Sequence, residues 1–370
     1  MRVLLAIPCL SGGGAEFVAA QWARYLEQMG DQVTVYTTHG TPQDLAPLGV
    51  TIVKARAGNF FQQALGLARH LRAEPVDVVV ALMPYTNLMS IAAAYSLGSR
   101  RPKVVISGHN FANGLRSVRD GSYTRIQWLA RRLYRYADLF VAVSHPVGAE
   151  AVAEYGLSPN GVVVIPNPAL VKLQGRPTKT SSEPTVSNRL DIVVPARLIP
   201  QKRPLIALEV AAALSRGFPG EITVHYYGVG PLHDKVVDRA TQLDVNAVMH
   251  GWVQDWFDEC PAGSIVLLAS LAEGFGNVLV EAAAAGYKSV VSSRCMGSAD
   301  AIVPGITGEL VPDDSIDDYA SAVLTASREG VRDVQPWLQR FSFESSGGTL
   351  RQQLSQLVVL KRDLRKGLGA

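Results

Sequence analysis

Two carboxylates eight residues apart, Glu273 and Glu281, close the ends of the segment E-G-F-G-N-V-L-V-E, where an aliphatic run (SIVLLAS) passes through glycines into a helix apolar on nearly every side. Glu281 lies among Val278, Leu279, Val280 and four alanines, surroundings in which a carboxylate is expensive to bury without a partner. In the first turn or so of a helix it complements the macrodipole; it equally suits a ligand that donates hydrogen bonds. Gly274 and Gly276 let the backbone approach such a ligand. The N–H groups around Asn277 and Val278 then form an anion site at the helix start that fits a diphosphate.

A second loop, A-R-L-I-P-Q-K, offers two cations five residues apart, Arg197 and Lys202. Alone they read as a solvated turn; facing the loop at 273–278 they make a diphosphate clamp, with Arg197 gripping bidentately and Lys202 adding a point charge. Near the N-terminus, Ser11-G-G-G-A-Glu16 places three glycines ahead of a helix, and His109 ends the run K-V-V-I-S-G-H. A strand-end histidine is either a structural hydrogen-bonder or a site residue.

Other chemistries find less support. No G-x-G-x-x-G is present, and G-V-G-P-L-H at 228–233 ends in His233 where a dinucleotide turn needs Gly or Ala. There is no phosphate-binding G-x-x-x-x-G-K-[ST]. Cys9, Cys260 and Cys295 are odd in number and widely spaced, which argues against a disulfide framework or a zinc site. The pairs Asp313-Asp314 and Asp317-Asp318 read as capping residues of a loop and helix start, not as a metal site.

The elements that must position these residues alternate short β-branched runs with amphipathic stretches, the pattern of an α/β fold with parallel strands and helical crossovers. Strands are expected at 2–8, 32–38, 77–82, 104–109, 139–144 and 162–166, then at 190–195, 222–227, 247–251, 265–269 and 289–292. Helices in the first half are expected near 15–29, 60–73, 124–137 and 146–155. Each half therefore reads as its own doubly wound sheet, with ligands beyond the carboxyl ends of the strands and a cleft between the two.

At 370 residues, 48% hydrophobic and 18% charged, two globular domains are expected. The divisions are 1–172, a polar linker at 173–189, 190–345, and a C-terminal helix at 346–370 that packs back on the first domain. The opening apolar stretch is too short for a signal sequence or a membrane span, which implies a cytoplasmic protein. Residues 1–172 carry 16 Lys/Arg against 10 Asp/Glu and the remainder 19 against 22, so the first half suits an anionic surface. That balance is too weak for nucleic acid.

The segment from Glu273 to Glu281 resembles the E-x7-E motif of the retaining GT-4 family of glycosyltransferases, which has the GT-B fold of two Rossmann-like domains. The likeness extends in order through Gly12–Gly14, the I-S-G-H-N at 106–110, A-V-S at 142–144, I-P-N-P at 165–168, Arg197 with Lys202, G-V-G-P at 228–231, H-G-W-V at 250–253 and G-I-T-G at 305–308. One departure is the loop C-M-G-S-A-D at 295–300, which lacks the paired glycines often found before its acidic residue.

The resemblance implies that Glu281 binds the donor ribose, Arg197 and Lys202 the diphosphate, and Glu273 with Gly274, Phe275, Gly276, Asn277 and Val278 the transferring sugar and phosphates. Gly13 and Gly14 would close on the diphosphate, Val253 and Asp255 would lie near the base, and His109 would sit beside the reacting carbon. It also implies retention, with a donor phosphate oxygen taking the acceptor proton and no cofactor or metal. Closure about the linker would exclude water.

The helix at 123–137 places Ile126, Leu129, Leu133 and Ala137 on one face and Arg125, Arg131, Arg132 and Arg135 on the other, with Trp128 among the arginines and Arg116 and Arg119 upstream. That face is either merely solvated or rests on anionic lipid, consistent with a lipid-linked glycan or glycolipid acceptor. A nucleotide-sugar epimerase, a phosphorylase and a non-catalytic nucleotide-sugar binder remain the alternatives.

Overall fold

Aliphatic and β-branched runs become parallel strands buried on both faces in two separate sheets. The computed structural model describes residues 1–40, 44, 47, 49–111, 121–176, 188–312, 315–328, 330 and 334–367. The chain forms two units: Met1–His109, Arg119–Pro168 and Arg340–Ala370 in one, Asn110–Val118 and Ala169–Gln339 in the other. Of the segments singled out in the sequence, Arg116, Arg119, Asp313, Asp314 and residues 177–187 lie outside the described residues.

The first unit runs β1 (Arg2–Ile7), α1 (Gly14–Gln28), β2 (Gln32–Thr37), β3 (Thr51–Lys54), α2 (Phe60–Ala73), β4 (Val78–Leu82), α3 (Pro84–Tyr95), β5 (Lys103–Gly108), α4 (Gly121–Leu133), β6 (Leu139–Ala142), α5 (His145–Tyr155) and β7 (Val162–Val164). Its sheet has the order β3-β2-β1-β4-β5-β6-β7. In α1, Ala15, Val18, Ala19, Trp22, Ala23 and Leu26 recur at helical spacing and form the face buried on the sheet.

The second unit runs β8 (Arg189–Val194), α6 (Ile206–Leu214), β9 (Glu221–Tyr227), α7 (His233–Gln242), β10 (Asn246–Gly251), α8 (Trp256–Glu259), β11 (Ile265–Leu268), α9 (Asn277–Ala284), β12 (Lys288–Ser292), β13 (Gly308–Val311), α10 (Ile316–Ser327) and α11 (Gln335–Leu338). Its order, β10-β9-β8-β11-β12-β13, reverses between β8 and β11, the position where doubly wound sheets open a ligand crevice. The loops that carry Arg197 with Lys202 and Glu273 with Gly276 leave those two strands.

The chain then returns to the first unit as α12 (Phe343–Gly367). Leu350 and Leu354 join the core around Trp22 and Leu26. The Trp22 indole donates to Ser346 Oγ at 3.0 Å, Ser346 donates to the Pro166 carbonyl at 2.7 Å, and Arg351 Nε donates to the buried Asp31 at 2.8 Å. No residue larger than glycine fits at Gly347, where an added Cβ would stand 2.2 Å from the Tyr25 ring.

The α/β expectation holds strand by strand except at β3 and β13, which the sequence pattern does not announce. Both are four-residue strands at sheet edges with partly exposed side chains, so neither shows a continuous apolar run.

Candidate active site

The loops after β8 and β11 are fastened to each other by one backbone and two side-chain-to-backbone hydrogen bonds. Leu271 N–H donates to the Gln201 carbonyl at 2.8 Å, the Gln201 amide donates to the Ala272 carbonyl at 2.8 Å, and Arg203 Nε donates to the Ala269 carbonyl at 2.6 Å. Arg203 adopts φ 46°, a left-handed conformation that is strained for a side chain of its size and turns the chain out of the Pro200–Lys202 3-10 turn. The result is that Lys202 Nζ meets Glu273 Oε1 in an ion pair, and Ser270 Oγ donates to the same oxygen at 2.7 Å. Arg197 is exposed, and its guanidinium has no hydrogen bond or ion pair among the described residues.

Glycines allow the neighbouring loops to close on this pair. A Cβ at Gly228 would stand 2.0 Å from the Ala196 carbonyl oxygen, one at Gly230 2.4 Å from that of Leu198, and one at Gly297 1.8 Å from that of Glu273. Gly297 is the single glycine of the 295–300 loop, so the loop that departs from the paired-glycine pattern keeps a glycine where a backbone must pass against Glu273. Gly276, at φ 92°, is the N-cap of α9, and Phe275 is buried at 2% exposure. A ligand at this turn therefore meets the backbone of 274–278, not the Phe275 ring.

Glu281 is the fifth residue of α9, which begins at Asn277, so it stands one turn from the helix start. Its partners are side chains, not the helix dipole: Lys172 Nζ at 3.0 Å on Oε1 and Trp256 Nε1 at 2.8 Å on Oε2. Trp256 opens α8, directly after Asp255, whose carboxylate takes Arg176 Nη2 at 3.1 Å. Val253 packs at the edge of the cluster formed by Tyr227, Trp256, Phe257 and Tyr287. The structure thus gathers Val253, Asp255 and Glu281 around Trp256, and Lys202 and Glu273 with the 274–278 turn. Sequence reasoning missed Lys172, Gln201, Arg203, Trp256 and Ser270; the indole beside Asp255 was the one visible signal.

In the first unit the Gly12–Gly14 turn leads into α1, with Gly12 at φ 101° and Gly13 as its extended N-cap. Asp44, also unanticipated, pins this turn from below: its Oδ1 accepts from Leu10 N–H and from Ser11 Oγ, each at 3.0 Å. His109 follows β5, 2.5 Å from Ser107 Oγ through Nε2 and 6.1 Å, ring to ring, from Trp22. Burial pushes its pKa down to about 4, so at neutral pH the ring is uncharged and acts as a hydrogen-bonding group.

Two known families of sequence account for most of this chain. The profile of Glycosyltransferase Family 4 matches residues 12–169, and that of Glycosyl transferases group 1 matches residues 189–329. The chain belongs to the GT-4 glycosyltransferases.

Among named GT-4 relatives, a D-inositol 3-phosphate glycosyltransferase of Kribbella flavida is 29% identical over 53% of this chain and 50% of its own length. A lipopolysaccharide 1,6-galactosyltransferase of Salmonella typhimurium is 28% identical over 50% of this chain and 51% of its own. The chain spans about half the length of the curated relatives it matches. The lipopolysaccharide outer core galactosyltransferase WaaB, in its apo form, shares the fold at a TM-score of 0.68 and 19% identity, covering 92% of this chain and 98% of its own. HepE of Anabaena, in complex with UDP and glucose, does so at 0.66 and 17%, covering 100% and 99%. The two parallel sheets are those of the GT-B fold.

The basic helix of this GT-4 chain keeps the expected facing at Ile126, Leu133 and Ala137, which are half-buried, and departs from it at Leu129. Its buried face is Ala130, continued by Tyr134 beyond the helix end, while Leu129 is exposed. Tyr134 packs its ring on Tyr155, its hydroxyl accepts from Asn87 Nδ2 at 3.2 Å, and it opens the 3-10 turn that follows Leu133. Trp128 is 54% exposed, with the Arg132 guanidinium 4.4 Å over its ring, and Arg131 is paired with Glu154. Arg125 and Arg135 are exposed. Among the described residues no helix is long and apolar enough to cross a membrane.

Proposed function

We propose that this chain transfers a sugar, with retention of anomeric configuration, from a nucleoside diphosphate sugar to a lipid-linked glycan or glycolipid of a surface polysaccharide. The observation that carries the reading is the convergence of Lys202, Glu273 and the α9 turn at the point where the second sheet reverses strand order. A donor diphosphate seated there takes Arg197, which has no competing partner among the described residues, and draws Lys202 from Glu273. As the glycosidic bond breaks, charge grows on the leaving diphosphate, and the two cations with the N–H groups at the start of α9 offset it. A donor phosphate oxygen accepts the acceptor hydroxyl proton, and no side-chain base or metal is required. Glu273 is then freed to hold the transferring sugar, and Glu281 holds the ribose.

UDP is the favoured nucleotide, in keeping with the UDP bound to HepE, and a lipid-linked acceptor is in keeping with the lipopolysaccharide transferases among the relatives. Such an enzyme works on the inner face of the cytoplasmic membrane, in peripheral contact through α4. Thermal melts with UDP, GDP, ADP and dTDP test the donor site, because a ligand of the folded state raises the melting temperature. Stabilisation by one nucleotide that weakens in Glu281→Ala supports the reading; no stabilisation by any of them removes it. Nucleotide release that depends on acceptor and survives a chelator separates transfer from donor hydrolysis and from metal-dependent chemistry.

A further inference from the structure

Glu281 is held in a way that says what it is kept for. Its carboxylate is 3% exposed, and a buried anion persists only where partners compensate it. An ionised carboxylate has about four acceptor positions. Lys172 takes one on Oε1 and Trp256 one on Oε2, and no other described side chain takes the remainder. The indole cannot drift: Trp256 is 4% exposed, edge-on to Phe257 at 5.7 Å and tilted on Tyr287 at 6.4 Å. Lys172, at 26%, is the wetter neighbour, so a ligand reaches the carboxylate on the lysine side.

We propose that Trp256 and Lys172 are positioning residues for ribose recognition: they fix the Glu281 carboxylate oriented so that its two unused acceptor positions meet the vicinal 2′- and 3′-hydroxyls of a ribonucleoside diphosphate. The donor is accordingly a ribonucleotide sugar, and a 2′-deoxyribonucleotide sugar is rejected because one acceptor position stays unmatched. This rests on the donor-site reading of Glu281. Trp256 acts through its N–H, so Trp256→Phe removes the effect while keeping most of the ring packing.

The test is calorimetric binding of UDP, GDP and ADP and of their 2′-deoxy counterparts to the full chain and to Trp256→Phe, Lys172→Met, Lys172→Arg and Glu281→Gln. In the wild type the best-bound ribonucleotide should exceed its deoxy form by roughly tenfold, and the ratio should fall to about threefold or less in Trp256→Phe and Lys172→Met and recover in Lys172→Arg. A purely structural role would weaken both nucleotides equally and leave the ratio intact. If Trp256→Phe does not fold, the lysine pair carries the test alone. A ratio preserved in Trp256→Phe and Lys172→Met but lost in Glu281→Gln overturns the positioning role and leaves the donor site standing. A ratio unchanged in Glu281→Gln, or no binding of any nucleotide, overturns the donor-site reading with it.

Discussion

Lys202 and Glu273, 71 residues apart in sequence, are joined as an ion pair between the loops that leave β8 and β11. A diphosphate that needs the lysine must compete with the glutamate. Glu273→Gln removes the competitor and one negative charge, so UDP affinity is expected to rise roughly three- to tenfold, the worth of a partly buried pair of about 1 kcal/mol. Transfer is expected to fall about a hundredfold or more, since the carboxylate also holds the sugar. Titration calorimetry beside a turnover assay checks both; weaker UDP binding in the variant would mean that Glu273 supports the nucleotide directly.

Gly297 lies against the Glu273 carbonyl with no room for a methyl group. Gly297→Ala is expected to destabilise the second unit by about 1–3 kcal/mol and to displace the backbone at 273, lowering activity in the material that folds. Gly217→Ala is the control, because a Cβ there meets nothing within 4 Å. Urea melts of the two variants should separate clearly.

Acid sensitivity should trace in part to His109. Its pKa lies below its value of 6.5 in the unfolded chain, at about 4, so the unfolded state takes up the proton first as pH falls. Its contribution is whole above pH 6.5, declines between 6.5 and about 4, and changes no further below that. Allowing for a ring that is only half-buried, roughly 2 kcal/mol should be lost across the window. His250, whose pKa burial and then the neighbouring His225 hold down, shifts stability in the same direction. Denaturant melts of wild type and His109→Asn near neutral pH and near pH 4.5 check this: the asparagine variant should show the shallower decline, and equal declines would mean the ring is well hydrated.

If α4 rests on anionic lipid, Trp128→Ala with Arg132→Ala should reduce flotation with vesicles containing about 30% phosphatidylglycerol several-fold, as loss of an interfacial aromatic and a cation predicts. Arg131→Ala should matter less, because Arg131 already pairs with Glu154. Flotation that is indifferent to all three would assign the helix to solvent.

The fold was legible wherever burial on both faces demands long aliphatic runs, as at β1, β4 and β8. It was illegible at β3 and β13, whose four residues are placed by edge pairing more than by their own hydrophobicity. At the site, Glu281 announced itself as a charge among alanines, but its two partners did not. Lys172 is 109 residues away, and nothing in a linear chain distinguishes a lysine that finds a buried carboxylate from one that remains in water. In α4 the wheel grouped Leu129 with Ile126, Leu133 and Ala137, but Leu129 is exposed and its neighbour Ala130 is buried with Tyr134, which packs beside Phe140 and Tyr155.

Because α12 completes the core around Trp22, the first unit is interrupted in sequence by nearly all of the second. A ribosome therefore finishes the sheet β1–β7 long before it supplies the helix that covers α1. At about 5–20 residues per second that interval is roughly 10–35 s, during which Trp22 and Leu26 lack their last neighbours. The second unit, contiguous from β8 to α11, emerges whole in the meantime. Nascent chains of this protein should accordingly mature in reverse order, the later half before the earlier, with chaperone demand concentrated on the unit that was made first.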